Sequence, residues 1–275
     1  MRGIDISNWQ GSVDIGALRG VDFVIAKATE GTSFVDKYCD GTIQQCIKLG
    51  IPWGFYHFAA DGTAKAEADH FIASCEGYIG RGIPVLDWEG NQSVKWVNEF
   101  VARFYSKTKV KPWIYANPWR FNQGGVDKDC ARWIASYPGH LLKPSIDADP
   151  GKMPKTDGIV AAWQFASDGQ VKGFNGDLDV NIGYIDKAAW SKYAVGDRPE
   201  AGQSASGSVE GTAKINGTKV FKSDRLEIWL YERISEGSWP TKKAEVGKIV
   251  NLKDGRRSIY LFVSDTVRIK AFISD

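Results

Sequence analysis

The sequence predicts an α/β protein in which an irregular TIM-like β/α barrel precedes a small C-terminal all-β domain. Short β-branched or aromatic segments alternate with helical stretches through about residue 193, which is the pattern of a parallel sheet. Several of these segments are apolar nearly throughout, as expected for strands covered on both faces. The 275 residues exceed one ordinary core but suit a barrel plus a small module.

Seven segments are the predicted barrel strands: Gly3–Ser7, Phe23–Ala28, Trp53–Phe58, Pro84–Trp88, Trp113–Ala116, Trp133–Ser136 and Ala161–Phe165. The clearest helices are Ala64–Gly77 and Ser93–Lys107, where apolar residues recur every three to four positions. Not every gap between strands can hold a full helix, so we expect an irregular barrel.

A change of composition follows residue 195. Residues 196–211 are rich in Gly, Ser and Pro, which predicts a flexible linker after a barrel domain at 1–195. Residues 212–275 are predicted to form a small antiparallel β module, because short alternating segments lie between Asn-Gly, Asp-Gly and Ser-Asp turn signals. The predicted strands are Lys219–Lys222, Leu226–Glu232, Lys248–Leu252, Ser258–Val263 and Val267–Phe272.

Charge also separates the two parts. Residues 212–275 contain 13 Lys and Arg against 8 Asp and Glu, a net charge of +5, whereas residues 1–211 contain 22 against 25, a net charge of −3. A basic module on an acidic body favours docking to an anionic polymer. The alternatives are that the lysines serve solubility and edge protection, or that the module pairs strand edges into a homo-oligomer.

Composition narrows the class of protein. The chain is 43% hydrophobic and 25% charged, and no apolar run approaches the length of a membrane span, so we expect a soluble protein without membrane insertion. The N-terminus enters a predicted strand at once, which predicts that no Sec signal peptide is present. The cysteines lack metal-type spacing and are expected to be reduced, buried thiols: Cys39, Cys46, Cys75 and Cys130.

Neither a metal nor another cofactor is expected. His57 and His70 belong to no His-x-x-x-His or Cys/His cluster. No Gly-x-Gly-x-x-Gly or P-loop pattern occurs, and no feature favours nucleic acid as a partner.

The most informative segment is Gly82-Ile-Pro-Val-Leu-Asp-Trp-Glu-Gly90, an apolar strand that ends in two carboxylates. Period-two geometry places Asp87 and Glu89 on the same face, and catalytic residues of barrels project from the carboxyl ends of strands. Glycoside hydrolysis needs one protonated carboxyl and one anion, and two neighbouring carboxylates push their titrations apart. The segment therefore predicts a glycosidase acid–base pair, with a structural salt bridge as the alternative.

Two more acids occupy comparable positions. Asp5 ends the first predicted strand, and Asp179 is expected to follow the last one. Each could instead be a turn or cap residue, as Asp commonly is. The 11 tryptophans also suit a sugar-binding protein, since pyranose faces stack on aromatic rings.

Seven segments together resemble the glycoside hydrolase family 25 lysozymes, which are common among phage endolysins and bacterial autolysins. They occur in family order over roughly residues 1–193, and the C-terminal module has no counterpart among them. The segments are Gly3-Ile-Asp-Ile-Ser-Asn-Trp-Gln10, Ile25-Ala-Lys-Ala-Thr-Glu-Gly31, Gly54-Phe-Tyr-His-Phe58, Leu86-Asp-Trp-Glu89, Ile114-Tyr-Ala-Asn117, Ala162-Trp-Gln164 and Asp177-Leu-Asp-Val-Asn181.

The resemblance implies an enzyme that cleaves the β-1,4 bond between N-acetylmuramic acid and N-acetylglucosamine in bacterial peptidoglycan. It assigns Glu89 as the general acid/base and Asp87 as the residue that assists the substrate's acetamido group, or that acts more directly. Asp5 and Asp179 take supporting roles. Three aromatic residues match positions lining the family's groove: Tyr56, Tyr115 and Trp163. Three others suit groove and core equally: Trp9, Trp53 and Trp113.

Two alternatives remain beside the muramidase interpretation. One is a catalytically inactive glycan-binding barrel, against which the intact Asp87 and Glu89 argue. The other is a chitinase-like glycosidase, against which the segments Lys27–Glu30 and Trp163–Gln164 argue. The expected partners are peptidoglycan and anionic wall polymers, and the expected location is the host cytoplasm until release to the cell wall.

Overall fold

The computed structural model describes residues 1–197 and, further along the chain, five short strands through their backbone pairing. The chain divides into two compact units, Met1–Glu200 and Ala201–Asp275. Within the described residues, no helix combines the length and the apolarity needed to span a bilayer.

Eight strands of the first unit close a barrel in the order β1-β9-β8-β7-β6-β5-β4-β2, with β2 pairing back onto β1. A short strand β3, Phe34–Val35, adds to the end of β2. The barrel strands are β1 Arg2–Ile6, β2 Phe23–Glu30, β4 Trp53–Phe58, β5 Ile83–Asp87, β6 Trp113–Ala116, β7 Arg132–Ala135, β8 Val160–Gly169 and β9 Leu178–Gly183. The barrel prediction is thereby confirmed, and each of the seven predicted strands overlaps an observed one.

Strand β9 corrects the prediction that the barrel strands are all parallel and that Asp179 follows the last of them. β9 runs antiparallel to both β8 and β1, and Asp179 lies inside it. Only residues 170–177 connect β8 to β9, which is shorter than the dozen or more residues that a parallel crossover needs. The amino end of β9 therefore meets the carboxyl ends of the other barrel strands.

Five α-helices occur among residues 1–197: α1 Cys39–Leu49, α2 Ala64–Cys75, α3 Val94–Thr108, α4 Pro118–Asn122 and α5 Lys187–Val195. The side chains of Thr63 and Ser93 cap α2 and α3, which explains why both predicted helices begin within one residue of the observed start. The described segment 136–159 between β7 and β8 contains no helix, so the barrel is irregular, as predicted.

The core has an inner layer within the barrel and an outer layer between the strands and the helices. Helix α5 closes the end of the barrel where the strands begin. The ring of its Trp190 lies 5.0 Å from the ring of Phe23 and 5.3 Å from that of Trp113, and its indole N–H donates to the carbonyl of Trp53 at 3.0 Å. Trp53 and Trp113 are thus core residues, and all four cysteines are buried free thiols, as expected.

The second unit contains a two-stranded pairing, β10 Lys214–Ile215 with β11 Thr218–Lys219. It also contains an antiparallel sheet of β12 Glu245–Asn251, β13 Arg257–Phe262 and β14 Arg268–Ile273. The predicted segment Leu226–Glu232 and linker residues 198–211 lie outside the described residues. The domain boundaries and the all-β character of residues 212–275 stay predictions.

Candidate active site

A cleft of about 280 Å³ opens at the end of the barrel opposite α5, where the parallel strands end. Four carboxyl groups of residues 1–197 line it: Asp5, Asp87, Glu89 and Asp179. The structure therefore brings together all four acids that the sequence analysis selected. They come from β1, from β5 and the loop after it, and from β9.

Asp87 is the last residue of β5 and is held by pairing on both sides. It lies opposite Phe58 of β4 and Tyr115 of β6. Its side chain is almost fully buried, and among the described residues its Oδ1 has no hydrogen-bond partner. Burial, then the charges of Glu89 and Asp5, raise the pKa of Asp87 well above its usual value, while Lys27 opposes the shift. The cleft thus contains a buried acceptor with unused capacity for a hydrogen bond.

Glu89 lies two residues beyond the strand end, on the same side as Asp87 and exposed in the cleft. Partial burial of its carboxyl against the cleft wall raises the pKa of Glu89, and the charge of Arg120 opposes that shift. Within residues 1–197, neither Glu89 nor Asp87 forms an ion pair. The structural salt bridge that was the alternative for this pair is therefore absent from that region.

Asp5 and Asp179 lie directly opposite each other in the antiparallel β1–β9 pair. Burial raises the pKa of Asp5 to about 6, despite hydrogen bonds from Gln164 and Asn181 that favour its anion. Burial and the charge of Asp5 raise the pKa of Asp179 to about 9. Of the two carboxyls, Asp179 is therefore the more readily protonated.

The orientation of Asp5 follows from a chain of hydrogen bonds that can run in only one direction. The indole N–H of Trp133 donates to Oδ1 of Asn181 at 2.7 Å, and Nδ2 of Asn181 donates to Oδ2 of Asp5 at 2.7 Å. An indole nitrogen can only donate, so the amide of Asn181 must point its NH₂ group at Asp5. Asp5 is therefore held by its Oδ2.

Gln164 approaches Asp5 from β8 in the same way. Its Nε2 donates to Oδ2 of Asp5 at 2.9 Å, while its Oε1 accepts the hydroxyl protons of Tyr115 at 2.7 Å and of Tyr137 at 2.6 Å. Because the carboxylate of Asp5 can only accept, the amide of Gln164 must point its NH₂ group at Asp5 and its oxygen at the two hydroxyls. The two tyrosines thus help to position Gln164, which in turn orients the Asp5 carboxyl.

The predicted aromatic contacts divide into two groups. Tyr56 and Tyr115 line the cleft. Trp163 does not, so the prediction that it contacts substrate is wrong: its ring is 1% exposed in the outer core layer, and its indole N–H donates to the carbonyl of Ser136 at 2.7 Å. Successive strand residues face opposite sides, and Gln164 takes the inner side, so Trp163 must point outward.

Several cleft residues were not selected from the sequence as site residues. Trp9 lies at the rim with 87% of its surface exposed, so of the three undecided tryptophans it alone lines the cleft. Lys27 and Gln164 stood within segments quoted for the resemblance, which was a usable signal. Tyr137 follows β7 in a loop without any pattern and could not be found this way. Lys27 in the cleft forms an ion pair with Glu30, with its Nζ 2.6 Å from Oε2 of that residue.

His57 is a buried structural residue. Its Nδ1 lies 2.8 Å from the hydroxyl of Thr29, and its Nε2 lies 3.0 Å from Oε2 of Glu67. Burial lowers the pKa of His57, so a neutral ring donates from Nε2 and accepts the Thr29 proton. Among the described residues, no group of three or more His, Cys, Asp or Glu side chains is suited to hold a metal ion.

Several known proteins resemble this chain in sequence. The profile described as "Glycosyl hydrolases family 25" matches residues 4–174. Lysozyme M1 of Streptomyces globisporus is 31% identical over 205 residues, covering 66% of this chain and 67% of that protein. The autolytic lysozyme of Clostridium acetobutylicum is 31% identical over 190 residues, covering 66% of this chain and 55% of that protein.

A solved structure, the CTP1L endolysin, resembles the chain with a TM-score of 0.55 at 30% identity. The match covers 70% of this chain and 68% of the endolysin. The chain is therefore similar in sequence and in fold to proteins that carry lysozyme and endolysin names.

Proposed function

Because the chain belongs to glycosyl hydrolase family 25, we propose that it is a muramidase that hydrolyses the β-1,4 bond between N-acetylmuramic acid and N-acetylglucosamine in bacterial peptidoglycan. The observation that carries the proposal is the pair of unlike carboxyls in one cleft. Glu89 is exposed to a ligand, and Asp87 is buried with an unpaired oxygen.

Glu89 acts as the general acid. Its raised pKa keeps a larger fraction protonated near neutral pH, so it can give its proton to the oxygen of the leaving N-acetylglucosamine as the C1–O bond breaks. The resulting carboxylate then accepts a proton from the water that attacks C1. One residue thereby serves both half-reactions.

Asp87 acts on the substrate's own acetamido group. Its unpaired Oδ1 can accept the acetamido N–H, which turns the acetamido carbonyl oxygen toward C1. That oxygen forms a bond to C1 as the leaving group departs, and water later displaces it. The acetamido N–H on Oδ1 favours the carboxylate of Asp87 and so opposes the rise in its pKa that burial causes, and that carboxylate stabilises the positive acetamido group.

Direct attack by Asp87 on C1 is the competing mechanism. It is disfavoured because Asp87 at the end of β5 and Glu89 in the loop directly after it line the same cleft from one side, whereas a nucleophile and an acid act from opposite sides of the sugar. Asp5 and Asp179 complete the acidic wall, and Tyr56 and Tyr115 provide surface for the sugar ring.

The test is release of reducing ends from purified peptidoglycan and from chitin by the full chain, with Glu89→Gln as the control. A muramidase releases them from peptidoglycan, and the control does not. Release from chitin alone would support the chitinase-like alternative. Binding to peptidoglycan without release by either protein would support an inactive glycan-binding barrel.

The proposal includes an endolysin role, in which the enzyme accumulates in the host cytoplasm before reaching the wall, and a wall-binding function for residues 212–275. The endolysin likeness and the net charge of +5 support it. Full-chain Glu89→Gln should sediment with walls more than a 1–197 truncation that carries the same substitution. The difference should shrink as salt rises. Equal sedimentation, with self-association of the full chain on sizing, would support an oligomerisation module instead.

A further inference from the structure

Arg120 reaches from α4, the short helix after β6, to the loop that carries Glu89. Its Nη2 donates to the backbone carbonyl of Glu89 at 2.7 Å and to that of Gly90 at 2.7 Å. The guanidinium carbon lies 4.9 Å from the centre of the Trp88 ring. One side chain therefore contacts three consecutive residues around Glu89, through two charge-assisted hydrogen bonds and one ring contact.

Helix α4, which bears Arg120, is itself firmly anchored. The Asn117 side chain accepts the backbone N–H of Arg120 at 3.0 Å, and the neighbouring Phe121 is 1% exposed. Asn122 donates to the carbonyl of Lys155 at 3.2 Å and accepts the backbone N–H of Asp157 at 3.0 Å. The guanidinium is thus presented from a rigid base.

The backbone pairing of β5 stops short of Glu89. Strand β5 ends at Asp87, and the last backbone bond across this edge runs from the N–H of Trp88 to the carbonyl of Tyr115 at 2.9 Å. Glu89 lies beyond that bond, with its carboxyl exposed in the cleft. Its position therefore depends on contacts from outside the strand.

We infer that Arg120 is a positioning residue for the proposed glycosidase reaction, holding the backbone of Glu89 so that its carboxyl faces the scissile bond. The inference rests on the proposed function, in which Glu89 is the acid. Arg120 itself need not touch the substrate.

Arg120 also has an electrostatic effect on the acid. Its positive charge favours the Glu89 carboxylate and so partly offsets the rise in pKa that burial causes. Without that charge, the protonated form of Glu89 is favoured more strongly, so the pKa of Glu89 rises further. Activity that needs protonated Glu89 would then persist to higher pH.

The test compares Arg120→Gln, which removes the charge, with Arg120→Lys, which retains it without the planar fork. Arg103→Gln is the matched control, because Arg103 is also an arginine held at short range, by Asp69 at 2.7 and 2.9 Å, but on α3 outside the cleft. Each full-length variant is assayed for reducing-end release across pH, and its fold is checked by near-UV circular dichroism.

For Arg120→Gln we expect kcat to fall by about 10- to 100-fold, as for a misplaced catalytic group, while KM stays near wild type. The basic limb of its pH–kcat profile, where activity falls as Glu89 loses its proton, should move to higher pH. Arg120→Lys should lose kcat but keep the basic limb in place. Arg103→Gln should match the wild type in both. Wild-type kcat and an unmoved limb in a folded Arg120→Gln protein would overturn the inference.

An activity-independent measurement separates this inference from the proposed function. Titration of the Glu89 side-chain carbon by ¹³C NMR, assigned with Glu89→Gln, should give a higher pKa in Arg120→Gln than in wild type or Arg120→Lys. That result with an inactive wild type would refute the muramidase proposal while supporting the contact between Arg120 and Glu89. If Arg120→Gln does not fold, wild-type kcat in Arg120→Lys overturns the positioning role.

Discussion

Two buried carboxyls of this barrel, Glu67 and Asp87, have opposite surroundings. Glu67 is fully buried, and both of its carboxylate oxygens are hydrogen-bonded. They accept the N–H of Ala60 at 3.0 Å and of Gly62 at 2.7 Å, and Oε2 also lies 3.0 Å from Nε2 of His57. These hydrogen bonds lower its pKa in spite of burial. Asp87 is equally hidden, but its Oδ1 lacks a partner among the described residues and its pKa is raised. Burial alone therefore does not decide the pKa of these carboxyls; the hydrogen bonds that each one receives decide the direction of the shift.

The largest effect should come from the cleft acids. Glu89→Gln should lower kcat by about 10²- to 10⁴-fold, because the amide retains the shape but cannot donate a proton to the leaving oxygen. Asp87→Asn should also cause a large loss, while its unfolding free energy stays equal or rises, because a poorly solvated acid is replaced by a neutral group. Wall turnover and denaturant unfolding are measured together. A folded Glu89→Gln protein with near-wild-type turnover would remove Glu89 from the mechanism.

Glu67→Gln should show the reverse pattern. We expect the free energy of unfolding to fall by about 1–3 kcal/mol, because an amide cannot accept all the hydrogen bonds that Glu67 receives. Turnover per folded molecule should change far less than in the cleft variants. Glu76→Gln, at the exposed end of the same helix, is the matched control and should be neutral. A stable Glu67→Gln protein that is inactive would break the comparison.

Asp179→Asn should make the protein more stable, and the gain should depend on pH. Because the pKa of Asp179 is raised to about 9 in the folded state, the folded protein holds a proton that the unfolded chain releases above about pH 4. The stabilisation that this proton gives the folded wild type is therefore lost progressively as pH rises from about 4 to about 9. Melting temperatures at pH 4 and pH 8 should differ little at the lower pH and favour Asp179→Asn at the higher one. An equal gain at both values would contradict the assignment.

The smallest effect should come from the rim. Trp9→Ala should weaken substrate use by about 1 kcal/mol, roughly fivefold in KM, because stacking on an exposed ring is lost. Its stability should stay within about 0.5 kcal/mol of wild type, since the side chain is 87% exposed. Trp119→Ala is the control, being 69% exposed but outside the cleft lining. Equal KM values for the two variants would remove Trp9 from the binding surface.

Much of this site could be predicted from local pattern. The apolar run that ends in Asp87 and Glu89 indicated a barrel strand with two acids on one face, because side-chain alternation is a property of the strand itself. The alternation of strands and helices predicted the barrel, and the places of Asp5 and Asp179 beside predicted strands made them candidates. These inferences needed only short-range periodicity and the rule that parallel strands present their carboxyl ends together, whereas the supporting roles of the two acids came from the family resemblance.

Tertiary structure decided the rest, because it depends on residues far apart in the chain. The reversal of β9 sets Asp179 opposite Asp5, 174 positions away in the chain, where the charge of Asp5 helps to raise the pKa of Asp179. The inner place taken by Gln164 sends Trp163 outward into the core. The position of Arg120 beneath Glu89 likewise follows from the pairing of β5 with β6 and has no signature in its own segment. The sequence alone thus determined which residues could do chemistry, whereas long-range packing determined which of them meet, which are satisfied, and which remain available to a substrate.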